Sequence, residues 1–198
     1  MRTLSLLTLL AAATAALHGA GLTDAHTGAS VVASRTYTQG VSSDGTTSVG
    51  FTNTDQAYKI VGTTYTALAN LSGGTTGFAL SASSNGSKIV GYADDGTNYQ
   101  AVLWTGASAP TLVDGTASFV SSRATGISSN GTTIVGYGDN GSRDDAFYHV
   151  GGSLTSMAAT FSGFASRAAG VSADGNLIVG TIADSFSSMG TASGFIFK

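Results

Sequence analysis

The 198-residue sequence contains no cysteine and no glutamate, three lysines and a single proline, Pro110. Without cysteine there are no disulfides and no thiolate metal sites, so the core has to hold without covalent staples. The near absence of Glu and Lys, which usually fill exposed helix positions, argues against helices. No Glu is present to act as a general base. Charge is sparse, with eleven acidic residues against eight basic ones and a net charge of -3. No basic stripe exists, which argues against nucleic acid as a partner. Low charge does not mean disorder here, because 42% of the residues are hydrophobic and they fall in patterned runs. Long apolar runs are also missing. The one candidate, Leu4–Ala13, is too short for a comfortable membrane span and has no stop-transfer flank. With Arg2 ahead of it and Ala13-Thr14-Ala15 behind it, this run reads as a secretory signal over residues 1–20. The expected location is therefore secreted, either extracellular, at the cell surface or periplasmic.

What is present is Gly, Ser, Thr and short β-branched or aromatic runs, the composition of strands and turns. One turn occurs four times: Asp44-Gly45, Asn85-Gly86, Asn130-Gly131 and Asp174-Gly175, each between two apolar runs. Such pairs are a strong hairpin signal. The Asp and Asn residues are expected to tolerate the left-handed conformation of such turns. The glycines are spaced by 41, 45 and 44 residues, so the chain is built of repeated supersecondary units. In the third copy, Arg123–Ser128, Thr133–Tyr137, Ala146–Val150 and Leu154–Met157 read as four successive strands, the content of one propeller blade. Residues 21–198 form one repeat domain, with repeats at about 34–76, 77–116, 117–165 and 166–198.

The fourth repeat lacks a fourth strand, while Ala29–Ala33 is a spare strand at the other end. An open sheet edge is an aggregation hazard. The expected fold is therefore all-β, a four-bladed β-propeller closed by the N-terminal strand 29–33 in the last blade. A stacked β-solenoid is the alternative, in which that strand is only a cap.

Ser122, Ala124, Gly126, Ser128 and Gly131 fit the pattern S-x-A-x-G-V-S-x-D-G, as do Ser166, Ala168, Gly170, Ser172, Asp174 and Gly175. Ala146-Phe147 and Ala101 with Trp104 fit a following A-F-x-W strand. The repeat thus resembles the bacterial HAF extracellular repeat. It departs from that pattern where Gln56, Gln100, Asp145 and Ser193 stand in place of the first His of the His-Ala-Phe motif. The resemblance spans residues 34–198 and implies an extracellular or surface location. It brings no set of functional residues.

No enzyme signature stands out: there is no G-x-S-x-G elbow and no His pair spaced for zinc. His149 reads as a strand-end packing residue. The glycines Gly50, Gly91, Gly136 and Gly180, one in each second strand, read as close packing or bulges. In a four-stranded blade, the loop between the second and third strands lies at the same end as the connection between blades. That end gathers Asp94, Asp95, Asp139, Asp144 and Asp145 with Arg35, Arg123 and Arg167. Such a set suits a sugar, a peptide or a hard cation. The same residue types are also turn formers and ion-pair partners. No cofactor is implied. Three functions are open: a surface binding or adhesion module for a glycan or surface protein, an assembly scaffold that forms homo-oligomers, and, least supported, a propeller glycan hydrolase or lyase.

Overall fold

The structure, a computed structural model, describes residues 36–113, 119–186 and 191–198, and among these there are only strands, turns and loops. Thr36–Val41 (β1), Thr47–Thr52 (β2), Ala57–Val61 (β3) and Thr64–Ala67 (β4) form a first antiparallel meander. Gly77–Ala82 (β5), Lys88–Asp94 (β6), Tyr99–Thr105 (β7) and Thr111–Leu112 (β8) form the second. Ser121–Ile127 (β9), Thr133–Asp139 (β10), Asp144–Val150 (β11) and Ser153–Ser156 (β12) form the third. Ala165–Val171 (β13), Ile178–Ala183 (β14) and Ala192–Phe197 (β15) form a three-stranded fourth. Four meandering sheets, one per sequence repeat, make a multi-blade β-propeller.

The turn between the first and second strands of each blade is built the same way. Ser42 Oγ donates to Asp44 Oδ1 (2.7 Å) and accepts the Thr47 N–H (2.9 Å), while the Thr46 N–H donates to Asp44 Oδ1 (2.9 Å). Ser128 and Asn130 repeat the scheme, with Ser128 Oγ donating to Asn130 Oδ1 at 2.6 Å. The glycines carry the left-handed conformation, with φ of 72°, 64°, 70° and 84° at Gly45, Gly86, Gly131 and Gly175. Asp44, Asn85, Asn130 and Asp174 do not adopt positive φ. The expectation that they serve by tolerating that conformation is corrected: their side chains close the turn by accepting N–H groups two residues on. The turns also meet one another. The Asp44 N–H donates to Ser84 O (3.1 Å), the Ser84 N–H to Ser129 O (2.9 Å) and Asn130 Nδ2 to Asp174 O (3.2 Å).

The core is divided between neighbouring sheets. Val49, Leu68, Ala79, Ile89 and Trp104 fill the space between the first and second. Val90, Val113, Ala124 and Phe147 lie between the second and third, and Val135, Met157, Ala168 and Phe195 between the third and fourth. Trp104 is fully buried, its indole N–H donating to Ala69 O at 2.8 Å. Each inner strand is bulged opposite a second-strand glycine. A Cβ added at Gly50, Gly91, Gly136 or Gly180 would overlap the carbonyl oxygen of Tyr37, Phe78, Arg123 or Arg167 respectively.

Strand packing between sheets runs from the first to the second, the second to the third, and the third to the fourth. Among the described residues no strand of the first sheet packs on the fourth to a comparable extent. The expected closing strand 29–33, the signal segment 1–20 and Arg35 lie outside the described residues. Val49, Val90 and Val135 are fully buried by the next sheet, but Val179, their equivalent in the fourth, is 41% exposed and its partner Ile196 71% exposed.

Candidate functional site

The loops after β2, β6, β10 and β14 all emerge at the end opposite the repeated turns. Three positions recur there at each junction between sheets. The first is the residue after the second-strand glycine: Phe51, Tyr92 and Tyr137. The second stands two residues before the third strand in the first sheet and opens that strand in the next two: Asp55, Tyr99 and Asp144. The third comes from the inner strand of the next sheet: Phe78, Arg123 and Arg167.

At the first junction the Phe51 and Phe78 rings meet edge to face, with centroids 4.9 Å apart. Phe78 in turn stacks on Tyr92 at 4.6 Å. At the second junction the Arg123 guanidinium lies 4.6 Å from the centre of the Tyr92 ring and 5.8 Å from that of Tyr99. Among the described residues it makes no ion pair and donates no hydrogen bond. Burial pushes the Tyr92 phenol above its ordinary range, an effect that the Arg123 charge partly offsets. At the third junction Arg167 lies 4.7 Å from the centre of the Tyr137 ring and 4.3 Å from that of Phe186. Here, however, the guanidinium is paired: Nε donates to Asp144 Oδ2 at 2.6 Å and a terminal nitrogen also meets that oxygen. Asp139, Ser142, Arg143, Asp144, Arg167 and Phe186 line most of a cleft of about 430 Å³ at this junction.

The structure thus brings Asp139, Asp144 and Arg167 together around one cleft and sets Arg123 with Asp94 and Asp95 at the neighbouring junction. Each acidic residue also has a local task. Asp94 and Asp139 accept the Gly96 and Gly141 N–H groups, each at 2.8 Å. Asp95 accepts the Thr97 and Asn98 N–H groups, both at 2.8 Å, and these bonds hold its carboxyl below the usual range. Gln100 Nε2 donates to Asp95 Oδ2 at 3.1 Å, and in the next loop Asn140 Nδ2 donates to Asp145 Oδ2. The amide and the carboxylate have changed places, yet the tie is kept. Asp145 is buried and also accepts from Arg143 Nε at 3.0 Å.

Sequence reasoning missed Tyr92, Tyr99, Tyr137 and Phe186. The first and third carried a readable signal, since an aromatic follows the repeated glycine in three of the four copies. Elsewhere, His149 sits on β11 with a buried Nδ1 that has no hydrogen-bond partner, and burial lowers its pKa. Among the described residues no three His, Cys, Asp or Glu side chains are grouped to hold a metal ion. No helix among them is long and apolar enough to cross a membrane.

Four antiparallel meanders in succession, joined turn to turn at one end and carrying loops at the other, define a β-propeller protein with its variable residues on the loop end. Solved structures agree with that class. The chain is similar to a provisionally named TolB from Agrobacterium tumefaciens, with 15% identity and a TM-score of 0.60 over 81% of this chain and 57% of that one. It is also similar to TolB from Acinetobacter baumannii, with 17% identity and a TM-score of 0.59 over 82% of this chain and 41% of that one. The chain therefore spans about half the length of these structures, and at such identities the likeness is one of fold. No protein-family model matches the sequence, and no curated protein is significantly similar to it.

Proposed function

We propose that this chain is a non-enzymatic binding module of the extracellular or cell-surface space, built from HAF-type propeller repeats, whose ligand docks on the loop end. One observation carries the reading. At successive junctions a repeated backbone slot presents an aromatic or arginine side chain on an aromatic face, and the occupant changes from Phe78 to Arg123 to Arg167 while the slot does not. A scaffold kept constant with exchanged side chains at one end is how loop-end recognition surfaces are made. The carboxylates there are engaged by loop N–H groups or by arginines, which suits positioning better than proton transfer. The signal-like leader and the HAF-type motifs support the location. The test is a screen of glycans and cell surfaces with the purified chain, with and without calcium, repeated with the double variant Arg123→Ala, Arg167→Ala. Saturable binding that the double variant weakens, with an unchanged β-rich circular dichroism spectrum, is the expected result. Unchanged binding would remove the loop end from the reading.

A second reading, assembly of copies through the fourth sheet, draws on the exposed pair Val179 and Ile196. In each preceding sheet the equivalent valine is covered, and an uncovered apolar face invites self-association. Light scattering across a wide concentration range decides it: a strictly monomeric species removes this reading.

A further inference from the structure

Of the three described arginines, Arg143 and Arg167 each hold a carboxylate, those of Asp145 and Asp144. Arg123 does not, although its backbone slot and its tyrosine are those of Arg167. The difference comes from one position. Tyr99 is the register partner of Asp94 where Asp144 is the partner of Asp139. A carboxylate at 144 reaches the guanidinium, whereas a phenol at 99 lies under it as a second aromatic face. A guanidinium stacked on rings keeps its in-plane N–H groups for a planar acceptor, and a carboxylate matches that fork best. The phenol of Tyr92 adds a hydroxyl donor at the same junction. Asp94 and Asp95 at the same junction are engaged by their own loop N–H groups and by Gln100. The third junction therefore shows, with a carboxylate from the chain itself, the arrangement that a carboxylate from outside would reproduce at the second.

We propose that Arg123, with Tyr92 and Tyr99, forms a subsite for the carboxylate of an acidic sugar residue, so that the module recognises uronate-bearing glycans. The proposal rests on the binding-module reading above and narrows it to one ligand class. A sugar is favoured over a peptide because the guanidinium and the half-buried Tyr99 present polar donors beside an aromatic ring, Tyr92 being covered by Phe78 and by Arg123 itself, and such a surface suits a ring with hydroxyls on its edge and C–H groups on its face. The shared slot makes Arg123 the ligand-facing member of the pair and Arg167 the internally satisfied one.

The experiment is titration calorimetry of the whole secreted chain with oligogalacturonate, its methyl ester and a neutral oligosaccharide of equal length. The variants are Arg123→Gln and Tyr99→Asp, each checked for fold by circular dichroism. The free acid should bind the unmodified chain, the ester and the neutral oligomer should bind about tenfold more weakly or not at all, and each variant should lose about tenfold or more for the free acid. Raising the salt should weaken the free-acid complex. Equal binding of acid and ester, or an Arg123→Gln chain with unchanged affinity, overturns the subsite while leaving the module reading in place. Capture of an acidic peptide in preference to the uronate also overturns it. If no glycan and no cell surface is bound at all, both the subsite and the module reading fall.

Discussion

The second and third junctions of this propeller use the same parts and reach different ends. Each has a tyrosine after a strand glycine and an arginine from the next inner strand, with guanidinium-to-ring distances of 4.6 and 4.7 Å. Each loop is pinned by one Asp that accepts a glycine N–H, and by an amide-to-carboxylate tie. The decisive change is Tyr99 against Asp144. With the carboxylate, the arginine closes on its own chain; with the phenol, it stays a cation on aromatic faces with donors to spare. A repeat fold can thus convert a structural ion pair into a recognition element by one substitution, because the slot is set by the bulge and the glycine and not by the residue that fills it.

The largest effect should come from breaking both junctions at once. Gly136 precedes Tyr137 of one and lies against the Arg123 carbonyl of the other, and an added Cβ would also overlap the Phe147 ring. Gly136→Ala should lower unfolding stability by about 1–3 kcal/mol or more, as overpacking of a closed core does, read from the denaturation midpoint. A midpoint unchanged from the parent chain would mean that the bulge is not what sets the slot. Next in size is the exchange itself. Asp144→Tyr should free Arg167 and give a second uronate site, seen as a doubled stoichiometry with the fold retained. A stoichiometry that stays the same would show that the second junction owes its openness to more than Tyr99. Smaller again is the stability contrast. Arg167→Ala removes a partly exposed ion pair and contacts with two rings and should cost about 1 kcal/mol, whereas Arg123→Ala loses only cation–π contact and should cost about 0.5–1 kcal/mol. A larger loss at Arg123 than at Arg167 would reverse the assignment of which arginine is structural.

Much of this was legible in the sequence. The third repeat's strands were placed within two residues of β9 to β12, because Asn-Gly punctuation and β-branched runs are local signals. The end at which Arg123, Arg167 and the loop aspartates gather followed from blade connectivity alone. What could not be read was which of two neighbouring aspartates faces the arginine. Asp144 and Asp145 are adjacent, and a strand sends them to opposite faces. One meets Arg167 from the next sheet while the other lies buried beneath its own loop. The tyrosines were missed for a different reason. The aromatic after the repeated glycine reads as ordinary strand filling until the next sheet lays an arginine on it.

The turn end offers a second natural exchange in one slot, and the smallest predicted effect. Asp44 and Asp174 close two of the four turns, Asn85 and Asn130 the other two, with the same N–H two residues on as donor. The Ser42 hydroxyl and the Thr46 N–H hold the Asp44 carboxyl below its ordinary range, and the Ser172 hydroxyl and the Asn176 N–H do the same for Asp174. A carboxyl whose pKa is depressed by folding contributes stability that is fully present above its unfolded value, about 3.9, and is lost as the pH falls through the folded value. Asp44→Asn with Asp174→Asn should therefore leave stability at pH 7 nearly unchanged, since asparagine already closes this turn twice, and should flatten the fall in stability on the acid side. The check is thermal unfolding of parent and double variant from pH 7 down to about pH 2. If the variant melts well below the parent at neutral pH, the charge and not the acceptor geometry closes these turns, and the equivalence of Asp and Asn in this slot fails just where that of Tyr and Asp fails at the loop end.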